Sequence, residues 1–262
     1  MSGPVSHRVR AGDLDVHYLE AGDGPPVVLL HGGTATAAMS WDTAFAQLAD
    51  RFRLVAPDAR GHGGTTNPAG TLAYDRMADD VLAFVEALGL DRPALVGHSD
   101  GAQVALEFAL RHPGRASTVV LSGTMSEPTP AYVAGLHEWG FTAPGEVDVA
   151  AVERSFDDVY EPTRRAHPQY TTDEAWEGYL RAIAGLWLTL PTYTDERLAT
   201  IADRTLVVTG DRDDLADLAQ AERLFRAIPG ASLAVIPDAG HGAADTPLFW
   251  QVVASFLTSV RC

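Results

Sequence analysis

Gly97-His98-Ser99-Asp100-Gly101 follows the apolar run Ala94-Leu95-Val96 and precedes a helical pattern. In that setting G-x-S-x-G reads as a strand turning sharply into a helix, with a strained serine whose hydroxyl stands clear of the sheet. The glycines have a mechanical job, because a side chain at 97 or 101 would collide with the backbone that the tight turn brings close. A chain with 24 glycines in 262 residues can produce five such letters by accident, so the strand-then-helix context carries the reading.

Outward from this turn, short apolar runs recur at residues 27–30, 54–56, 94–96, 119–121, 206–208 and 233–236. Most are β-branched and nearly continuous rather than alternating, as expected of strands buried on both faces of a parallel sheet. Helical patterns lie between them. Residues 75–88 carry Met77, Val81, Val85 and Leu88 on one side and stop at Gly89; 102–110 and 219–227 read likewise, and Thr246-Pro247 opens a last helix with Phe249, Val252, Val253 and Phe256. Val9 and Val16-His17-Tyr18-Leu19 flank Ala11-Gly12-Asp13, an N-terminal hairpin. The sum is an α/β chain with a mostly parallel, doubly wound sheet.

Residues 124–204 break the alternation. They show no convincing strand, only helical patches at 150–160 and 173–188 separated by proline-containing turns. They also hold Tyr132, Trp139, Phe141, Phe156, Tyr160, Tyr170, Trp176, Tyr179, Trp187 and Tyr193. We read this stretch as a helical cap inserted over the C-terminal edge of the sheet, with 1–123 and 205–262 as the core. Burial in the insertion's own small core accounts for about two thirds of these aromatics, and the rest line a pocket.

Composition narrows the partners. A formal net charge of −16 repels nucleic acid and anionic membrane surfaces, which leaves a small or neutral ligand. The single cysteine, Cys262, excludes an intrachain disulfide or a cysteine-based metal site. Lysine is absent, which excludes Schiff-base chemistry and a Walker P-loop. There is no H-E-x-x-H, no histidine pair at ligand spacing and no EF-hand pattern, and Gly61-His62-Gly63-Gly64 lacks dinucleotide-loop spacing. No metal and no cofactor is expected. With no apolar leader and no bilayer-length segment, the expectation is a cytoplasmic protein.

The order of motifs resembles the α/β-hydrolase superfamily from about residue 16 to 257. The matching pieces are His31-Gly32-Gly33, Asp58-Ala59-Arg60-Gly61-His62-Gly63, the Ser99 elbow, Gly210-Asp211-Arg212-Asp213 and Asp238-Ala239-Gly240-His241-Gly242. A serine hydroxyl needs a base within hydrogen-bond reach and a group that orients that base. His241, in a glycine-flanked loop after the final strand, is the candidate base. His7, His17, His112, His137 and His167 lack such a setting, and the resemblance gives His31, His62 and His98 structural roles. Asp211, Asp213, Asp214 and Asp217 crowd one loop. The resemblance assigns the orienting acid to the second aspartate of Gly-Asp-x-Asp, Asp213, in preference to Asp214.

The same resemblance implies an oxyanion hole formed by the backbone N–H groups of Gly33 and Asp100. Asp100's carboxylate beside a developing anion is electrostatically unfavourable unless it points away or caps the helix, and both remain open at this stage. Ser99 argues against the aspartate-nucleophile dehalogenases and epoxide hydrolases of this fold. His31-Gly32-Gly33-Thr34-Ala35-Thr36 matches only the beginning of the His-Gly-Gly-Gly-Pro-Gly of carbon–carbon bond hydrolases. The stretch from Asp58 through Asp80 to Gly101 looks more like esterases and enol-lactone hydrolases; that resemblance implies a serine hydrolase of esters or lactones, and the aromatic insertion suggests an apolar or ring-bearing substrate. The alternative is a carbon–carbon bond hydrolase, lyase or cyclase on the same triad; a non-catalytic ligand receptor stands third.

Overall fold

The computed structural model describes residues 3–259; Cys262 lies outside them. The chain enters as the hairpin β1 (Val5–Ala11) and β2 (Leu14–Ala21), antiparallel along its length and turning at Gly12-Asp13. Then come β3 (Pro26–Leu30), the short helices α1 (Ala37–Ser40) and α2 (Asp42–Leu48), β4 (Arg53–Pro57), α3 (Tyr74–Ala87), β5 (Ala94–His98), α4 (Asp100–Arg111) and β6 (Thr118–Ser122). After an intervening segment the pattern resumes with β9 (Arg204–Gly210), α10 (Leu218–Ala227), β10 (Ser232–Ile236) and α11 (Pro247–Thr258). The main sheet has the order β1-β2-β4-β3-β5-β6-β9-β10, parallel from β4 through β10.

Successive strand residues face opposite sides, so an unbroken apolar run feeds two cores at once. Val28, Leu95, Val119, Leu121 and Val207 pack on the side of α3 and α4. Their neighbours Val27, Leu29, Val96, Val120 and Val208 pack with Trp41 of the α1–α2 junction and with Phe249 and Trp250 of α11. The parallel strands all end at one edge. The loops after β3, β5, β9 and β10, which hold Gly33, Ser99, Asp213 and His241, therefore converge there, where open parallel sheets bind ligands.

Between β6 and β9 lie α5 (Pro130–Glu138), α6 (Val149–Phe156), α7 (Tyr160–Arg165), α8 (Asp173–Trp187) and α9 (Asp195–Leu198). Two details differ from the sequence reading. A small antiparallel pair, β7 (Phe141–Ala143) and β8 (Glu146–Val147), sits where no strand was expected. Strands of three and two residues are too short to show a period, and this pair is fixed instead by Phe141, fully buried against Trp187. The patch at 150–160 is also not one helix: it breaks at Asp157, whose φ is +39°, and crosses a 3-10 turn before α7.

The loop after β4 works as a clamp. Asp58 accepts hydrogen bonds from the N–H groups of Ala37 and Gly64 and pairs with His17, tying the hairpin to the loop after β3. Arg60, 1 % exposed, lays its guanidinium across Asp80 at 2.6 and 2.7 Å and reaches Asp13. Burial opposes the charge on Arg60, but the two carboxylates outweigh it and hold it firmly ionised. The motif thus fixes the loop carrying Gly33.

Beneath this loop the rings of His31, His62 and His167 lie in series, 5.3 and 5.6 Å apart. His31 donates from Nδ1 to the Gly32 carbonyl and accepts the Ala59 N–H at Nε2; His167 donates to Thr163 and accepts from the Tyr179 hydroxyl. Each ring uses one nitrogen as acceptor, so both are neutral. Burial lowers His31, His62 and His167, the last to about 4, and lowers His98 to about 3. An unfolded chain takes up these protons near the ordinary histidine value, whereas the folded one does not. Stability is therefore complete above about pH 6.5 and falls as the pH drops from there towards 4, by roughly 1 kcal/mol per pH unit for each of His98 and His167, with His31 and His62 acting in the same direction. Urea midpoints at pH 7.5, 6 and 5 should fall in that order; equal midpoints would show these rings to be protonated in the fold.

Candidate active site

Ser99 occupies the turn between β5 and α4 with φ +54° and ψ −121°, a conformation that L-residues rarely adopt. It is held by its N–H bond to the Ser122 carbonyl (2.8 Å) and by its own carbonyl, which accepts the N–H groups of Ala102 and Gln103. A Cβ on Gly97 would collide with the backbone of Gly101, and one on Gly101 with the carbonyl of Leu30 in β3. The turn needs glycine at both places, as the spacing predicts.

His241 arrives from the loop after β10. Its Nε2 lies 2.9 Å from Ser99 Oγ, and its Nδ1 lies 3.0 and 3.1 Å from the two oxygens of Asp213. With Nδ1–H donating to the carboxylate, Nε2 is left as the acceptor for the serine proton. Of the four crowded aspartates, Asp213 alone meets the imidazole. Asp217 instead caps α10 and Asp214 is exposed. Burial pushes the Asp213 carboxyl up, but the bond and charge of His241 and the N–H groups of Ala216 and Leu215 outweigh it and hold it below the usual range. A neutral His98, its ring 5.1 Å from that of His241, adds no competing charge. Gly123 backs the imidazole: a Cβ there would lie 3.1 Å from His241 Cε1.

Both oxygens of the Asp100 side chain are taken by residues of other elements rather than by the N–H groups of its own helix. One oxygen accepts the Tyr74 hydroxyl (2.8 Å) and the other the Trp187 indole N–H (2.7 Å). Burial raises this carboxyl above its usual range, against those two bonds, which favour the charged form. Gly33 packs against the same pair: a Cβ on it would lie 2.5 Å from Asp100 Oδ2 and 2.6 Å from the Trp187 ring. Gly32 abuts Ser99, and Asp100 opens α4, where helical N–H groups have no partner within the helix. Sequence reasoning missed Tyr74 and Trp187. Their only signal is general: a buried tyrosine or tryptophan needs a partner for its polar tip.

Ser99 and His241 open onto a cavity of about 40 Å³ walled by Met125, Tyr132, Leu136, Trp139, Trp187, Leu190 and Leu215, among others. Three of the ten aromatics of the 124–204 stretch line it; the rest pack elsewhere. The volume admits a few waters. Among the described residues no helix is long and apolar enough to cross a membrane, and no cluster of histidine, cysteine and carboxylate side chains could hold a metal ion.

The family model of the alpha/beta hydrolase fold matches residues 25–247. The chain belongs to the α/β-hydrolase-fold family. It is 30% identical to 2-hydroxy-6-oxo-2,4-heptadienoate hydrolase of Pseudomonas putida, covering 92% of this chain and 91% of that one. It is 29% identical to 2-hydroxy-6-oxo-6-(2'-aminophenyl)hexa-2,4-dienoic acid hydrolase of Metapseudomonas resinovorans, over 92% and 86%. A solved meta-cleavage product hydrolase, a point mutant of CumD, superposes with a TM-score of 0.81 at 24% identity, over 98% and 99%, a likeness of fold. The chain is thus an α/β-hydrolase-fold hydrolase. Its sequence reading put esters and lactones first, whereas these relatives back the alternative, carbon–carbon bond hydrolysis, better. Both reactions need the same nucleophile and base, so the motifs alone do not separate them.

Proposed function

We propose that this α/β-hydrolase cleaves a carbon–carbon bond next to a ketone carbonyl, through an acyl-enzyme on Ser99. The observation that carries the acyl-enzyme part of the reading is the continuous Ser99–His241–Asp213 chain of hydrogen bonds. It is supported by similarity over nine-tenths of the chain to hydrolases of 2-hydroxy-6-oxo-dienoates. Ser99 Oγ adds to the carbonyl carbon while its proton passes to Nε2 of His241. Asp213 holds the imidazole in the accepting tautomer and offsets the charge it gains. The amides of Gly33 and Asp100 receive the oxyanion. As the oxyanion collapses, the carbon–carbon bond breaks and its electron pair leaves as an enolate conjugated with a second carbonyl; Nε2–H returns the proton. Water then adds to the acyl ester, giving its proton to His241, and the acid departs as Ser99 is reprotonated. The substrate is a small molecule, and the aromatic segment over the sheet edge acts as the cap that selects it.

A second reading, hydrolysis of a carboxylic ester or lactone, is favoured by the cavity wall. No arginine is among the described residues lining it, so a dienoate carboxylate would meet Asp100 without a cation to offset it. Initial rates with a 2-hydroxy-6-oxo-dienoate, a p-nitrophenyl ester and an enol lactone separate the two. Carbon–carbon cleavage is expected to exceed ester cleavage in kcat/KM by about 100-fold or more. The reverse order would replace it with the second reading, and turnover of none of the three would sink both.

A further inference from the structure

Two polar atoms of residues lining the cavity have no hydrogen-bond partner among the described residues: Nε2 of Gln103 and Oγ1 of Thr124. Neither residue is more than 4 % exposed. Gln103 stands one helical turn beyond Ser99 on α4, its N–H bonded to the Ser99 carbonyl, so it shares the face of the helix that carries the serine. Its side-chain oxygen accepts the N–H of Met125 at 3.2 Å. A backbone N–H only donates, so the amide cannot be turned round, and its NH2 group is the end left over. Thr124 follows Gly123, the residue that backs the imidazole of His241.

The surrounding wall makes this pair stand out. Met125, Leu136, Leu190 and Leu215 are apolar. Asp100, Tyr132, Trp187 and His241 are already engaged, with one another, with the Trp187 carbonyl, with Tyr74, or with Ser99 and Asp213. Burying two polar groups without partners is costly, and methionine and valine would fill the same space without that cost.

We propose that Gln103 Nε2 and Thr124 Oγ1 form a subsite for a second oxygen of the substrate, an uncharged carbonyl a few bonds from the one that Ser99 attacks. The occupant is uncharged because the described residues of the wall include no arginine and already hold the Asp100 carboxyl. The inference rests on the reading of Ser99 as nucleophile and deepens it. Donors at that place hold the acyl part of the substrate, the part that stays on Ser99 when the bond breaks, whichever bond that is.

The test uses a matched pair, p-nitrophenyl pentanoate and p-nitrophenyl 4-oxopentanoate, with the protein as it stands and with the shape-preserving variants Gln103→Met and Thr124→Val. The unaltered protein is expected to favour the oxo ester in kcat/KM by about tenfold or more, a preference that collapses to about one in Gln103→Met. A preference that is absent from the start, or that survives both substitutions, overturns the proposal. So does an equal fall for both esters, which marks a packing role. If neither ester is turned over, the fault lies with the assignment of Ser99 or of the bond cleaved. Calorimetric binding of methyl 4-oxopentanoate and methyl pentanoate to Ser99→Ala protein then decides the subsite alone: tighter binding of the keto compound that disappears with Gln103→Met supports it, and equal binding overturns it.

Discussion

Replacing Ser99 with alanine is expected to lower turnover by about four to six orders of magnitude while the fold stays intact. The substitution removes only the hydroxyl that lies 2.9 Å from His241 Nε2. The backbone bond from residue 99 to Ser122 and the glycines either side are untouched, and alanine bears the same positive φ at no greater cost than serine. What remains is the polarisation supplied by the amides, which stabilises attack by water only weakly. Steady-state turnover with a melting curve of the variant checks this. Turnover within tenfold of the unaltered protein, from a folded variant, would place the chemistry on another group.

Asp213→Asn should cost about 10⁴-fold in kcat with little change in stability. The reason is directional. Oδ1 of Asp213 already accepts the N–H groups of Leu215 and Ala216, so the oxygen of an asparagine would stay there and its NH2 would replace Oδ2, which lies 3.0 Å from Nδ1, against Oδ1 at 3.1 Å. An imidazole that accepts this NH2 at Nδ1 carries its hydrogen on Nε2, pointing at Ser99. A base already carrying its proton cannot take another. The ring's NMR signals would report the changed tautomer alongside the rate, and an unchanged rate would mean that Asp213 only fills space.

The fold was legible because its evidence is local and repeated. Runs such as residues 27–30 and 119–121 declare strands buried on both faces, and the turn glycines at 97 and 101 declare close backbone approach. What stayed hidden depends on where side chains point after distant segments meet. Asp100 could have pointed away or capped its helix; Tyr74 and Trp187, 26 and 87 positions away, decide it. Gln103 reads in sequence as one more polar residue on α4, and only the Met125 N–H fixes which end of its amide is free. Asp213 and Asp214 differ by one position in a loop without period, so their separation into a buried partner and an exposed charge needed the packed structure. The class of bond cleaved was least legible, because it depends on how the leaving group is held in the cavity rather than on the nucleophile.

The central claim is that Ser99 is primed by His241, which Asp213 holds in place. Its most direct test is the reaction of the unaltered protein with an activated phosphonate, followed by peptide mapping. The expected result is one adduct, on the peptide containing Ser99, formed about 100-fold or more slowly when His241 is replaced by alanine. An adduct on another residue, or equal rates with and without the imidazole, would contradict it.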